Sequence, residues 1–163
     1  MNAAVRILLL IPLGVLFGVC AATVMLFVLG ANVPEFGEAF AAAFIAAWNA
    51  LFSAIAESDD PDAVLRVGGR IWLLAALVLV APVVIGAIIA EAARMRGALL
   101  QMVLTGALAI LLPLGAGLSM RATSPAETRI LACLFFTGAA GGLVYWLIAG
   151  RRSDPPPASS PTV

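Results

Sequence analysis

Two long apolar stretches, Ile71–Ala90 and Ala98–Leu118, are separated only by the charged link Glu91-Ala92-Ala93-Arg94-Met95-Arg96-Gly97. Twenty residues of helix rise about 30 Å, the thickness of a bilayer's hydrocarbon core. Each arm is long enough to cross, and the link is not. The pair predicts a membrane hairpin with its turn on one face and other spans packed around it. Composition agrees, since 63% of the 163 residues are hydrophobic and 11% are charged, whereas a soluble domain has about half and a quarter. A chain of this length cannot enclose so much apolar surface in water. No segment alternates with a barrel's period of two. The expected fold is therefore all-α, a single transmembrane helical domain over residues 1–152.

Taken in order, Met1–Arg6 is a short start, and Ile7–Leu29 is the first span. It is too long for the apolar region of a secretory signal and runs past Ala21-Ala22 without a polar break, so it reads as uncleaved. Val19 before Cys20 also argues against a lipoprotein signal. Gly14 and Gly18, with Ala22 a turn later, form a small face that lets another helix approach closely. Gly30–Glu38 reads as a turn.

Residues 36–56 form the ambiguous stretch. Phe36, Phe40, Phe44, Trp48 and Phe52 recur every four residues, while alanines with Asn49 and Ser53 fill most of the rest. This is a helix with one bulky and one small face. Its few large apolar residues contribute roughly −2 to −4 kcal/mol toward insertion, against roughly −4 to −9 for the first span. It is read as an amphipathic or marginal helix lying at the interface or partly inserted. A full crossing, giving five spans instead of four, stays open.

Asp59 or Asp60 can cap the next helix, with Pro61 at its first position and Asp62 near its positive end. A calcium site here would lack the glycine and distal glutamate of an EF-hand, so a solvated cap is the simpler reading. Ala63–Arg70 extends into water and Trp72 marks the interface, while Pro82 should kink the span Ile71–Ala90 near its middle. Glu91, Arg94 and Arg96 make an interfacial charged turn, read either as a topogenic anchor or as a polar recognition point. After Ala98–Leu118, Ser124 is a candidate cap and Pro125 a first helical residue. The last span is Arg129–Ala149. Gly138 and Gly142 form its close-packing pair, Tyr145 and Trp146 mark the far interface, and Arg151-Arg152 anchor it. Residues 153–163, rich in proline and serine, read as a disordered tail.

Four spans put Arg6, Arg94, Arg96, Arg151 and Arg152 on one side and Arg66, Arg70, Arg121 and Arg129 on the other. The richer side would be cytoplasmic, with both termini there. Five spans give the same five-to-four division, so arginine counting does not choose between them.

The chemistry-bearing residue types are sparse. Net charge is zero and histidine is absent, which leaves no basic field for nucleic acid and removes the commonest metal and haem ligand. Cys20 and Cys133 lie in apolar runs and read as small buried residues. No ionisable group sits in mid-span, where a proton relay or voltage sensor needs one. No catalytic set, cofactor motif or metal cluster is visible.

Two stretches, Ala81–Arg96 (APVVIGAIIAEAARMR) and Phe135–Arg152 (FFTGAAGGLVYWLIAGRR), resemble small uncharacterised multi-span inner-membrane proteins of alphaproteobacterial type. The resemblance implies a bacterial inner membrane and carries no activity with it. Three functional classes compete. The leading one is a non-catalytic membrane protein, an accessory, assembly or oligomerising subunit that acts through helix–helix contacts with itself or another membrane protein. The second is a small transporter or channel for a neutral or amphipathic solute, with a polar path past Gln101, Thr105 and Thr137. The third is an enzyme on lipid headgroups that uses charged end residues such as Glu91.

Overall fold

In the computed structural model, residues 9–57, 61–93, 97–115 and 124–150 are described. Among them the chain is helical throughout, with no strand: α1 (Ile11–Asn32), α2 (Pro34–Glu57), α3 (Pro61–Leu79), α4 (Ala81–Ala92), α5 (Ala98–Gly115) and α6 (Pro125–Tyr145). A π-helical turn, Trp146–Gly150, continues α6. Four of these segments are by themselves long and apolar enough to cross a membrane, and the bent pair α3–α4 adds a fifth.

The boundaries follow local chemistry and correct several expectations. The turn expected over Gly30–Glu38 shrinks to Val33, extended at φ −116° and ψ 101°. A residue before proline is pushed out of the helical region, so Pro34 ends α1 and opens α2 at once. Asn32, expected to break the helix, instead donates its side-chain amide to the Val28 carbonyl at 2.7 Å and stays helical. The expected span Ile71–Ala90 is not one straight helix. It is broken at Val80, with a 46° bend two residues before Pro82. That proline cannot donate to Val78, and the chain yields there. Pro113 lies inside α5 without ending it. The last helix begins at Pro125, four residues before the expected span, because Ser124 caps it as anticipated.

The core is an alternating bundle of α1, α4, α5 and α6, and contacts at its two ends fix the directions. At one end Leu26 of α1, Phe36 of α2 and Cys133 of α6 pack together, with Leu79 of α3 against them. At the other end Ala87 of α4 meets Tyr145 and Ala149, with Ile11 and Val15 of α1 against them. So α1 runs antiparallel to α6, and α4 runs from the first end to the second. Tyr145, placed at the far interface by sequence, is 2% exposed inside the bundle. Cys133 is buried as read, but Cys20 is exposed on the outer side of α1. It lies two residues past Gly18, more than a half-turn round the helix from that packed face.

In lipid, no hydrophobic force drives helix against helix, so close van der Waals contact must do it. Small residues supply that contact here. Gly18 and Gly141 face each other with Val83 of α4 between them, 1% exposed. The first turns of α2 pack on the end of α1, where Gly37 leaves room only for the Gly30 carbonyl, and Phe27 meets Phe40 edge-on at 5.8 Å. Beyond Phe36 no described side chain of α2 is buried. The α2–α3 hairpin thus leaves the bundle at the end where α1 stops and rejoins it at Leu79, at that same end. The 46° bend joins α3 and α4 as a broken pair, and with α2 itself long and apolar enough to cross, the described residues hold four to five candidate spans in an all-helical bundle.

Candidate functional site

Charge enters the described bundle where α1, α2 and α6 meet. The Ser124 hydroxyl accepts from the Glu127 backbone N–H at 3.2 Å, and the Glu127 carboxylate accepts from the Ser124 N–H at 3.3 Å. This capping box fixes the first turn of α6. Arg129 stands just beyond it, and its guanidinium Nη1 donates to Oε1 of Glu35, in the first turn of α2. A carboxylate is favoured there by the positive end of the helix. The Arg129 side chain is 63% exposed and that of Glu35 31%. Glu35 Oε2 is nevertheless sealed from solvent.

A pocket of about 420 Å³ opens beside this pair. Ala132, Cys133 and Phe136 line it from α6, and Leu29, Asn32 and Val33 line it from the end of α1. Glu35 and Arg129 complete it with Pro34. Its surface is largely apolar, with the ion pair as its charged part.

The residues singled out by sequence divide into two groups. The glycines all lie at contacts within the chain. A Cβ on Gly14 would lie 3.1 Å from the Tyr145 ring, and one on Gly18 would lie 2.9 Å from the Gly141 carbonyl oxygen. A Cβ on Gly138 would lie 2.5 Å from the Thr105 carbonyl oxygen, and one on Gly142 would collide with the Thr105 hydroxyl. These faces, read as possible oligomer contacts, are occupied by the monomer's own helices. Of the interfacial turn, Glu91 closes α4 and is partly buried, while Arg94 and Arg96 lie outside the described residues. So do Asp59 and Asp60, weighed above for calcium. Among the described residues no three His, Cys, Asp or Glu side chains gather as a metal site.

The three polar residues proposed to line a solute path are all buried: Gln101 is 2% exposed, Thr105 0% and Thr137 2%. Thr105 donates to the Gln101 carbonyl and Thr137 to the Cys133 carbonyl, both at 2.8 Å. Gly86, Gly138 and Gly142 press on Thr105, so its surroundings are filled with protein. Gln101 Nε2 is buried without a hydrogen-bond partner, facing Gly86. Sequence reading missed the Glu35–Arg129 pairing. The two residues are 94 positions apart, and the only signal was that each stands at the start of an apolar run.

Fold and site together define a polytopic helical membrane protein with a charged, apolar-walled pocket at one end of its bundle. The chain matches no protein-family model, no curated protein and no solved structure, so its role is read from its own geometry.

Proposed function

We propose that this chain is a non-catalytic integral membrane protein acting through contacts with other membrane helices, as an accessory, assembly or oligomerising subunit. Its setting in this reading is the bacterial inner membrane, with both termini in the cytoplasm. One observation carries the reading: α2 is a 24-residue helix of which Phe36 is the one buried side chain among the described residues. None of its strongest apolar window is buried, whereas α1, α4, α5 and α6 already close on one another. Its face opposite the aromatic row carries Ala42, Ala46, Asn49 and Ser53, all exposed. Small residues with an amide and a hydroxyl are what a partner helix packs against and hydrogen-bonds.

Native mass spectrometry of protein taken from its own membrane in mild detergent tests this reading. A dimer or a stoichiometric membrane partner is expected, and Ala46→Leu with Asn49→Leu should release it while the fold persists. A strict monomer with no partner contradicts it.

A further inference from the structure

We propose that the partner of α2 is a second copy of this chain, the two α2 helices crossing the membrane side by side with Asn49 against Asn49 on a two-fold axis. This inference rests on the helix-contact reading and names the partner which that reading leaves open. Its first support is polar chemistry left unspent. Each described threonine donates its hydroxyl to a carbonyl four residues back, as Thr105 does to Gln101 at 2.8 Å. Asn32 donates its amide to Val28 in the same way. Asn49 and Ser53 do not. Neither side chain makes a hydrogen bond among the described residues, and both are exposed. They stand on a helix long and apolar enough to cross, where lipid offers an amide no partner.

The second support is the period of the face that carries them. Ala39, Ala42, Ala46, Asn49, Ser53 and Ala56 recur at alternating steps of three and four. This is a heptad seam, the pattern of two helices wound left-handedly on each other. None of the six is larger than asparagine, so two backbones can come close along it. The third support is symmetry. Two copies in one membrane share one topology, so the axis relating them lies along the membrane normal and crossing helices beside it run parallel. Each seam residue then meets its own counterpart at one depth. An asparagine amide both donates and accepts, so Asn49 is complementary to itself. A single asparagine in a heptad seam fixes one register and a two-stranded pair. A different protein would have to bring its own polar group to the depth of Asn49, whereas a second copy supplies it by symmetry.

Disulfide trapping of the full-length chain in its native membrane tests this. Cys20→Ser first removes the exposed thiol. Single cysteines then replace Ala42, Ala46 or Ser53 on the seam, and Ala41 or Ile55 away from it, before oxidation with copper phenanthroline. Bands at twice the mass of the chain are expected from the three seam positions and not from the other two. In lipid dilution of the Ala46→Cys protein, Asn49→Ala should weaken the pair about fivefold, the worth of an interhelical hydrogen bond, with thermal unfolding unchanged. No doubled band from the seam, equal yield from Ala41 and Ile55, or no effect of Asn49→Ala would overturn the proposal. So would a disulfide that joins Ala42→Cys only to Ala56→Cys of a differently tagged copy, which marks an antiparallel pair. Seam adducts to another membrane protein in place of the doubled band would sink the second copy and leave the helix-contact reading standing. No adduct of either kind, with a strict monomer by native mass spectrometry, would sink both.

Discussion

At the α5–α6 contact, one added carbon on Gly138 would stand 2.5 Å from the Thr105 carbonyl oxygen and 2.6 Å from Ala109 Cβ. Along α2, Phe44 stacks on Trp48 and Phe52 tilts against it, with ring centroids 6.2 and 4.9 Å apart, and all three stay at least half exposed. The first region has almost no side chain between its helices, and the second has large side chains facing away from the bundle. The difference shows what packs a helix in lipid. Apolar bulk gains little there, because acyl chains solvate a phenyl ring as well as leucine does, whereas backbones that touch gain dispersion on both sides. The close-packed glycines Gly18, Gly138, Gly141 and Gly142 therefore mark the core, and the aromatics from Phe44 to Phe52 mark its outside.

That contrast can be broken by substitution. The largest effect is expected for Gly138→Val. Backbone cannot rotate away from the new methyls, so about 3 kcal/mol is lost, and thermal unfolding in detergent should show it. Ala46→Val on α2 should leave the same transition unchanged, within about 0.5 kcal/mol. A comparable loss at both positions would erase the distinction. Next is Gln101→Leu, which removes the buried amide nitrogen that lacks a partner. It should be neutral or stabilise by about 1 kcal/mol, read as a raised melting temperature. A marked loss would mean that the amide has a partner in the working protein. The smallest effect belongs to the α2–α6 ion pair. Arg129 is largely exposed, so Arg129→Gln should lower stability by about 0–1 kcal/mol, and high salt should shrink the difference.

How much of this was legible in the sequence depended on whether the deciding contact was local. The apolar lengths gave the spans, and the Ser124-Pro125-Ala126-Glu127 run gave the start of α6. Pro82 gave the bend, because a missing amide acts within one turn. The glycine pairs showed that close packing occurs but not what fills it. Gly18 meets Gly141, and Gly142 meets Thr105, pairings set by how four helices come together. The same holds for Tyr145. Its aromatic, polar-tipped side chain suggested an interface, yet Gly14 leaves a slot for its ring inside the bundle. The pocket at Glu35 was invisible for the same reason, since two lone charges at helix starts say nothing of each other until the helices meet.

The central claim is that the glycine-packed core closes on itself and leaves α2 for an outside partner. A photo-crosslinking scan in native membranes tests it most directly, with benzoyl-phenylalanine placed at Ala46, Asn49 and Ser53 of α2 and at Leu99 and Leu111 of α5, which are 77% and 61% exposed. The account predicts discrete protein adducts from the α2 positions and lipid adducts alone from the α5 positions. Lipid adducts alone from α2, or protein adducts from α5 at equal yield, would contradict it.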